Sequence, residues 1–488
     1  MTAASIAMNR FGYGLLAGES PPADPRRYLL RQFDAFDSAP AAVTTRVNTR
    51  AKTGETLELL RRLRQDIRAL AAMEQADAPA TADTMRGENP RAAALAGLPP
   101  EYRQKLIEAR RVLADDIAVR VNITLTSRAP MMERLVHFWS NHFSVSVGKP
   151  GTQFEAGPHE FTAIRPHVLG RFSDMLKAAV LHPAMLIYLD QFQSIGPNAP
   201  FSQRRARRAG DNPQRPRGLN ENLAREVLEL HTLGVAGGYD QTDVTELARA
   251  LTGWTVPGVG RVGRFAEEQP SGAAFVALVH EPGLRQVLGH TYAAGQAGQA
   301  LAILDDLATH PATARHIATK LARHFAGDTP QPALVARLEA DFLKTGGDLA
   351  SLTRTLIDAP EAWAEAPVKF RTPFEWLVAA LRLTGTTTLP PQRIIGALTE
   401  LGQVPWRAPS PAGYDDFAAS WAGPDALTRR VDLAERIARD VPPDGVIARA
   451  EAAFPGALSA ATLTQLQRAE SGQQALALLL VSPEMMRR

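Results

Sequence analysis

Residues 220–234 carry the sequence NENLAREVLELHTLG, and its apolar side chains are spaced as on one face of a helix. Leu223, Val227 and Leu230 share that face, and a glycine closes the pattern. The spacing predicts a helix over Asn220–Leu233.

The same helical period recurs along most of the chain. It predicts helices over Glu101–Thr126, Met131–Asn141 and Asp243–Thr252, and a helix that begins at Pro311. The predicted fold class is therefore all-α (predominantly helical) with a small β-hairpin insertion. The helices are expected to form one large domain over residues 1–488, built around the helix that starts at Asn220.

Three segments lack a helical period. Residues 75–100 are rich in Ala, Pro and Asp and predict a loop or linker, whereas residues 193–218 form an excursion rich in Arg, Pro and Gly. Residues 255–290 are predicted to form a small β insertion, in which Phe275–Val279 and Arg285–Leu288 pair as a hairpin.

The composition excludes several kinds of site. The chain has 488 residues, a formal net charge of +3 and no cysteine, so disulfides, thiolate nucleophiles and Cys-ligated metals are excluded. The net charge is too small for this length to indicate nucleic-acid binding. No apolar run approaches the roughly 20 residues that span a bilayer, and no signal-peptide pattern begins the sequence, so a cytoplasmic location is the default expectation.

The strongest candidate site lies on the predicted Asn220–Leu233 helix. At about 100° per residue, Asn222, Glu226 and Glu229 fall on one stripe, with Arg225 beside it. Such groups can share a proton, hold a cation or grip a polar substrate, so they are predicted as catalytic residues of an interior polar site. The alternative is a surface stripe in which Arg225 forms an ion pair with Glu229.

The Met131–Asn141 helix carries a second candidate. His137 and Asn141 lie on its polar stripe, and about 140° separates His137 from His142, too wide an angle for one helix to aim both at one ion. The favoured interpretation is a buried His142 and a solvated or hydrogen-bonded His137. The alternation of Phe143–Val147 predicts a short strand after this helix.

A third candidate is a cationic stripe. His316, Lys320 and His324 recur every four residues, which places them on one helix face. A solvated surface is the usual explanation of such a face, and an anion or the carboxylates of the helix at Asn220 would be its natural partners. His231 lies opposite the polar stripe of its own helix and is predicted as a core or interface histidine.

Several ordered stretches carry a resemblance over nearly the whole chain. They are Glu133–Phe143, Pro183–Asp190, Asn220–Glu226, Ala248–Trp254, His310–Arg315, Lys320-Leu321 and Ser482–Glu484. Together they resemble a bacterial family catalogued only as domain of unknown function 1800. The ordered set is specific, whereas any one stretch alone is not.

The resemblance adds residues to the predicted site. Lys320 and Asp190 lie in matching stretches, so they join His137 and Asn141 as predicted substrate-binding residues. The family usually has a histidine where this chain has Ser140, and the change argues against a metal site built from two histidines there. Genes of this family often neighbour genes for a sulfatase-like protein, which implies a partner.

Two classes of function stay open from the sequence. The first is an enzyme with a polar Glu/Asn/Arg/Lys site among helices, hydrolytic or cation-assisted, for which a divalent metal with oxygen and His ligands is a conceivable cofactor. The second is a non-catalytic helical accessory or binding partner of a sulfatase-like protein. Six arginines of the excursion are predicted to order against an acidic partner, namely Arg204, Arg205, Arg207, Arg208, Arg215 and Arg217.

Overall fold

The computed structural model describes residues 1–16, 18–48, 100–209, 219–258, 263, 266–268, 272–367, 369–442 and 444–488. Within these residues the chain is mainly helical with short antiparallel strands, which confirms the predicted fold class. The linker predicted over residues 75–100 lies outside the described residues, except for Pro100, which begins a helix.

The helices follow one another along the chain. Those before the β insertion are α1 (Ala3–Asn9), α2 (Pro25–Ala35), α3 (Ala41–Asn48), α4 (Pro100–Thr126), α5 (Pro130–His142), α6 (Phe172–Val180), α7 (Pro183–Tyr188), α8 (Pro200–Ala209), α9 (Asn222–Glu226) and α10 (Gln241–Leu251). Those after it are α11 (Ala297–Thr309), α12 (Pro311–Ala326), α13 (Pro332–Thr345), α14 (Leu349–Asp358), α15 (Pro373–Leu383), α16 (Pro391–Glu400), α17 (Pro424–Arg439), α18 (Val446–Ala453), α19 (Ala460–Arg468), α20 (Gly472–Leu480) and α21 (Pro483–Met486). Many begin with proline, whose missing N–H is not needed in the first turn. The connection between α5 and α6 contains short helical segments over Thr152–Phe154, Ala156–Pro158, His159–Ile164 and Arg165–His167.

The β insertion holds short strands: β1 (Trp254–Thr255), β2 (Glu267–Glu268), β3 (Ala274–Phe275), β4 (Arg285–Val287) and β5 (His290–Tyr292). β3 lies between β1 and β2, and β4 pairs with β5. The predicted pairing of Phe275–Val279 with Arg285–Leu288 is therefore wrong. Leu288 and Gly289 both have positive φ, which makes the two-residue turn that joins β4 directly to β5.

The strand predicted over Phe143–Val147 is also absent, because this segment is irregular. All five of its side chains are buried, so it has no solvent-facing side of the kind that alternation implies. Its backbone meets a loop instead of a strand, since the Val147 N–H donates to the carbonyl of Trp406 at 2.8 Å.

The helix predicted over Asn220–Leu233 has two parts. α9 continues directly into a π-helix over Val227–His231, in which hydrogen bonds join residues five apart. The wider turns change which side chains align, and they bring His231 into the core, where it is 0% exposed. The prediction that His231 is a core histidine is confirmed.

Two other helices occupy the centre of the molecule. α5 and α15 are buried on nearly all sides, and their tryptophans Trp139 and Trp376 are among the largest fully buried side chains. The start of α15 is a capping box, in which Thr372 and Glu375 each bond the other's backbone N–H. This cap fixes Glu375 where α15 meets α5.

The excursion predicted over residues 193–218 contains a helix. α8 includes Arg204, Arg205, Arg207 and Arg208, while Arg215 and Arg217 lie outside the described residues. In the described part of the chain, no helix is long and apolar enough to cross a membrane.

Candidate functional site

A cavity of about 220 Å³ lies between α5, α12, the start of α15 and the loop over residues 403–417. We call it the polar cavity. Its polar and charged lining includes Tyr13, Arg120, His137, Ser140, Asn141, His142, Lys320, Arg323, His324, Glu375, Asp415 and Asp416. Aromatic rings form the rest of the wall, among them Phe138, Phe374, Trp406, Tyr414 and Phe417. The structure therefore brings together three of the predicted substrate-binding residues, His137, Asn141 and Lys320.

His137 is held by hydrogen bonds to both ring nitrogens. The Thr124 hydroxyl donates to the carbonyl of Arg120 at 2.8 Å, so it accepts from Nε2 of His137 at 3.3 Å. The Tyr13 hydroxyl then donates to Nδ1 at 2.7 Å. The pKa of His137 lies well below its ordinary value, mainly because the ring is buried and also because arginines lie nearby. His137 is thus a neutral ring without a free nitrogen, and it positions the wall of the cavity.

His142 connects the polar cavity to the π-helix. Its Nε2 lies 3.1 Å from the carbonyl oxygen of His231, so Nε2 carries the proton and Nδ1 is an acceptor. Nδ1 lies 2.9 Å from Nζ of Lys320, which donates to it. The predicted burial of His142 is confirmed, since it is 1% exposed. The backbone of the π-helix therefore orients the imidazole that holds Lys320.

The π-helix orients a second imidazole in the same way. Nε2 of His316 donates to the carbonyl of Leu230 at 3.1 Å. Gly234, with φ +82°, lies so close that a Cβ there would be 2.9 Å from the ring. The predicted solvated stripe of α12 thus faces the protein interior. Its partners are the carbonyl of Leu230, His142 and Asp416 instead of the carboxylates of α9.

His324 and Asp416 form a hydrogen-bonded pair in the wall of the cavity. Nδ1 of His324 lies 3.0 Å from Oδ2 of Asp416, while Nε2 has no hydrogen-bond partner. Burial lowers the pKa of His324, so the ring is neutral at pH 7, and its Nε2 is a buried atom that lies 4.0 Å from Oε1 of Glu375. Burial alone would raise the pKa of Asp416, but its contact and hydrogen bond with His324 and the charge of Lys369 lower the pKa to about 2, which keeps the carboxylate ionised. This is the arrangement of a general base oriented by a carboxylate.

Glu375 is the most strongly paired acid of the site. Its Oε1 accepts from Arg134 and, at 2.8 Å, from Arg488, and its Oε2 accepts from the backbone N–H of Thr372 at 3.1 Å. Although burial alone would raise its pKa, the two arginines hold the pKa of Glu375 well below its ordinary value. Glu375 is therefore a fixed negative charge whose ligands are the protein's own arginines.

Two cations of the polar cavity have no acidic partner among the described residues. Lys320 forms no ion pair there, and burial lowers its pKa from 10.5 to about 8. Arg323 stacks over the ring of Phe417 at 4.8 Å and donates no hydrogen bond, and its Nε is buried. The two side chains therefore bring positive charge to the cavity wall, and among the described residues no ion pair neutralises either of them.

Asn141 fastens the loop over residues 403–417 to α5. Its Oδ1 accepts from the backbone N–H of Tyr414 at 2.8 Å, and its Nδ2 donates to the carbonyl of Tyr414 at 2.9 Å. The Tyr414 hydroxyl in turn donates to the carbonyl of Val404 at 2.9 Å. The amide of Asn141 is thus already engaged, and this residue shapes the cavity wall.

The predicted catalytic residues of the 220 region lie elsewhere. Asn222 is exposed, so the expected interior position does not hold for it, because α9 buries Leu223 and Ala224 instead. Glu226 and Glu229 are half-buried and do not line the polar cavity. Burial, then the charge of Glu229, raises the pKa of Glu226.

Arg225, beside this polar stripe, bonds to the residue at the N-terminal cap of its own helix and to the first residue of α10. Arg225 pairs with Glu221 at 3.5 Å and donates to Gln241 at 2.8 Å, instead of pairing with Glu229. The change from α-helix to π-helix after Glu226 removes the regular spacing that the Arg225–Glu229 pair requires. Whether these side chains act in a reaction stays a prediction.

Asp190 also lies apart from the polar cavity. It has a left-handed φ of 59°, and it forms an ion pair with Lys149. Its Oδ1 accepts from the side chain of Gln193 at 3.3 Å. In the residues that the structure describes, no three His, Asp or Glu side chains converge as ligands of a metal ion.

Comparison with protein families gives a match that covers nearly the whole chain. The model of a family described as "Protein of unknown function (DUF1800)" matches residues 6–487. The chain belongs to the DUF1800 family. No curated protein and no solved structure matches the chain.

The DUF1800 stretches lie around the polar cavity to different degrees. Glu133–Phe143 and Lys320-Leu321 contribute to its wall, and Ser140 within the first of these stretches also lines it. The stretch at Asn220 contributes through the π-helix that follows it, by the carbonyls that orient His142 and His316.

Sequence reasoning missed the acidic half of the site in this DUF1800 protein. Glu375 was detectable, because Thr372 and Glu375 have the spacing of a capping box. Asp416 was not detectable, because it lies in an irregular loop, 92 positions from the histidine that it orients. Tyr13 gave no signal beyond being a buried aromatic residue.

Proposed function

We propose that the polar cavity is the active site of a hydrolytic enzyme whose substrate is small and carries an oxyanionic group such as a carboxylate or phosphate. One observation carries the proposal. Lys320 and Arg323, without acidic partners among the described residues, line the same cavity as a histidine whose Nδ1 is bound to Asp416. The cations supply binding, and the histidine supplies proton transfer.

The proposed reaction uses the neutral form of His324. The oxyanion of the substrate binds Lys320 and Arg323, which desolvates the cavity and positions the bond to be broken. Nε2 of His324 accepts a proton from the attacking water, and Asp416 stabilises the imidazolium that forms. The proton then passes from Nε2 to the leaving group, which returns His324 to its starting state.

The binding half of the proposal is tested with inorganic phosphate as the probe. Phosphate is titrated into the wild-type protein and into Lys320→Met and Arg323→Gln, with Arg315→Gln as control, since Arg315 lies on the exposed face of α12 with a side chain 71% exposed. Each cavity substitution is expected to weaken phosphate binding at least tenfold, and the control is expected to match the wild type. Equal affinities in all four proteins would refute the anion site.

The catalytic half is tested by turnover. A panel of para-nitrophenyl phosphate and para-nitrophenyl esters of dicarboxylic acids is offered to the wild type, to His324→Gln and to Asp416→Asn. For any compound hydrolysed, His324→Gln is expected to lower kcat at least a hundredfold, while KM changes little. Glu226→Gln, measured beside them, decides between this cavity and the sequence-predicted catalytic residues on α9. Dependence on Glu226 but not on His324 would move the active site there.

The alternative predicted from the sequence, a non-catalytic helical accessory of a sulfatase-like protein, stays a prediction. It is tested by titrating a sulfatase-like protein from the same organism against the wild type and against a variant with the six excursion arginines replaced by Ser. Loss of affinity on substitution or at high salt would favour the accessory role. Equal, salt-independent affinities would leave those arginines as a solvated segment.

A further inference from the structure

A second cavity, of about 290 Å³, lies on the other side of Tyr13. We call it the apolar cavity. It is bounded by the segment after α1, the end of α15 and the helix α18. Its apolar lining includes Leu15, Leu16, Leu383, Ala452, Phe454 and Met485. The rest of the lining is polar and includes Tyr13, Glu19, Arg382, Thr384 and Arg449. An apolar wall beside a small set of polar groups is the usual character of a small-molecule pocket.

Arg449 of α18 is the polar group of this cavity that lacks a partner. Among the described residues its guanidinium donates no hydrogen bond and forms no ion pair, and its Nη1 is buried. A guanidinium has five N–H donors, and burying one without an acceptor is unfavourable. The side chain therefore has bonding capacity that the protein itself does not use.

The neighbouring charged groups are already engaged. Arg382, which also lines the cavity, donates to the carbonyls of Thr124 at 2.9 Å and of Leu125 at 3.1 Å. The carboxylate of Glu19 accepts from the backbone N–H of Leu16 at 3.0 Å and lies beyond ion-pair distance of Arg449. Arg449 is thus the group available to an incoming ligand.

We propose that the apolar cavity binds a monocarboxylic acid with an apolar body, such as a medium-chain fatty acid, whose carboxylate pairs with Arg449. The guanidinium offers two parallel N–H groups to a carboxylate, and the leucine, phenylalanine and methionine side chains cover the chain. Each methylene buried in such a wall raises affinity about fourfold. Affinity is therefore expected to rise from hexanoate to octanoate.

This site is independent of the proposed active site, although Tyr13 separates the two cavities and lines both. Lys320→Met removes the amine that faces the polar cavity and touches nothing in the apolar one. Octanoate is therefore expected to bind Lys320→Met with the affinity of the wild type. A parallel loss in Lys320→Met would place octanoate in the polar cavity and overturn the inference.

The experiment is calorimetric titration of the full-length protein with octanoate and with octanamide, which has the same chain without the charge. Octanoate is expected to bind the wild type at least tenfold more tightly than octanamide. Arg449→Gln is expected to lower octanoate affinity to that of octanamide, while Arg449→Lys retains part of the difference. Glu451→Gln, an exposed substitution on the same helix, is the matched control and is expected to change nothing.

Two further results would overturn the proposal. The first is equal binding of octanoate and octanamide, which would show that the carboxylate makes no specific contact. The second is unchanged octanoate affinity in Arg449→Gln when its thermal melt shows that it is folded. If Arg449→Gln does not fold, the comparison of Arg449→Lys with the wild type decides, since Lys keeps the charge but loses the paired N–H geometry.

Discussion

Lys320 carries its charge in a place from which most water is excluded. Burial lowers its pKa from 10.5 to about 8, so below pH 8 the charged amine destabilises the folded state, and the penalty disappears as the pH rises from about 8 to about 10.5. A charged side chain that lowers the stability of the folded protein is expected at a binding site, where the charge serves to bind a ligand.

The residue-scale prediction concerns Lys320→Met. The substitution keeps the aliphatic stem and removes the charge, so it is expected to raise the free energy of unfolding at pH 7 by about 1 to 2 kcal/mol, after allowing for the lost hydrogen bond to His142. Urea denaturation at pH 7 and pH 10 measures the free energy of unfolding of both proteins. The increase caused by Lys320→Met is expected to be smaller at pH 10 than at pH 7. A destabilised Lys320→Met at pH 7 would contradict the assignment, and Arg315→Met serves as the exposed control.

At the scale of elements, the loop over residues 403–417 has little regular structure of its own and depends on α5. Asn141 makes two hydrogen bonds to the backbone of Tyr414, and Gly413 beside it has φ +85°. A Cβ on Gly413 would lie 2.5 Å from the carbonyl oxygen of Asn141. The close approach of loop and helix therefore requires a glycine here, and the wall of the polar cavity is fixed at this point.

The element-scale prediction is that Asn141→Ala releases this loop. Both hydrogen bonds to Tyr414 are lost, which is expected to cost about 2 kcal/mol and to speed hydrogen exchange of the loop amides more than those of α5 itself. Asn141→Asp keeps the acceptor for the Tyr414 N–H but loses the donor to its carbonyl, so an intermediate effect is expected. If the loop amides exchange at the same rates in the wild type and in Asn141→Ala, contacts other than those of Asn141 hold the loop.

The periodic elements were predictable and the aperiodic ones were not. α5 and α12 are predicted by apolar spacing, and three of the residues that line the polar cavity, His137, Asn141 and Lys320, lie on these two helices. The π-helix over Val227–His231 was not predictable, because a period of 3.6 residues gives no sign of where an extra residue enters a turn. Because hydropathy alone does not distinguish a polar stripe that faces solvent from one that faces buried partners, the stripe on α12 was assigned to the surface.

Across the whole molecule, buried neutral histidines link stability to pH. Burial is the main cause that lowers the pKa of His231 to about 3 and the pKa values of His159 and His316 to about 4. The unfolded chain binds protons at these rings near their ordinary value of 6.5, so the unfolded state gains protons first as the pH falls. The contribution of these histidines to stability is therefore fully present above about pH 6.5 and is lost progressively below it.

The whole-molecule prediction uses His231, which is 0% exposed and whose ring nitrogens have no hydrogen-bond partner among the described residues. His231→Phe is expected to leave stability at pH 7 nearly unchanged and to retain about 2 kcal/mol more than the wild type at pH 5. Acid denaturation followed by circular dichroism measures the shift of the midpoint to lower pH. The exposed His290, replaced in the same way, is the control, and equal midpoints in all three proteins would contradict the assignment.

The polar stripe of α5 finds its partners far along the chain. Arg134 meets Glu375 across 241 positions, and Asn141 meets Tyr414 across 273. At ribosomal speeds of about 5 to 20 residues per second, α5 leaves the ribosome roughly 10 to 50 seconds before those partners exist. During that interval the Arg134 guanidinium has the early carbonyl of Gly12 but not yet its carboxylate partner. The stretch around Arg134 is therefore expected to be open to chaperones and proteases during synthesis.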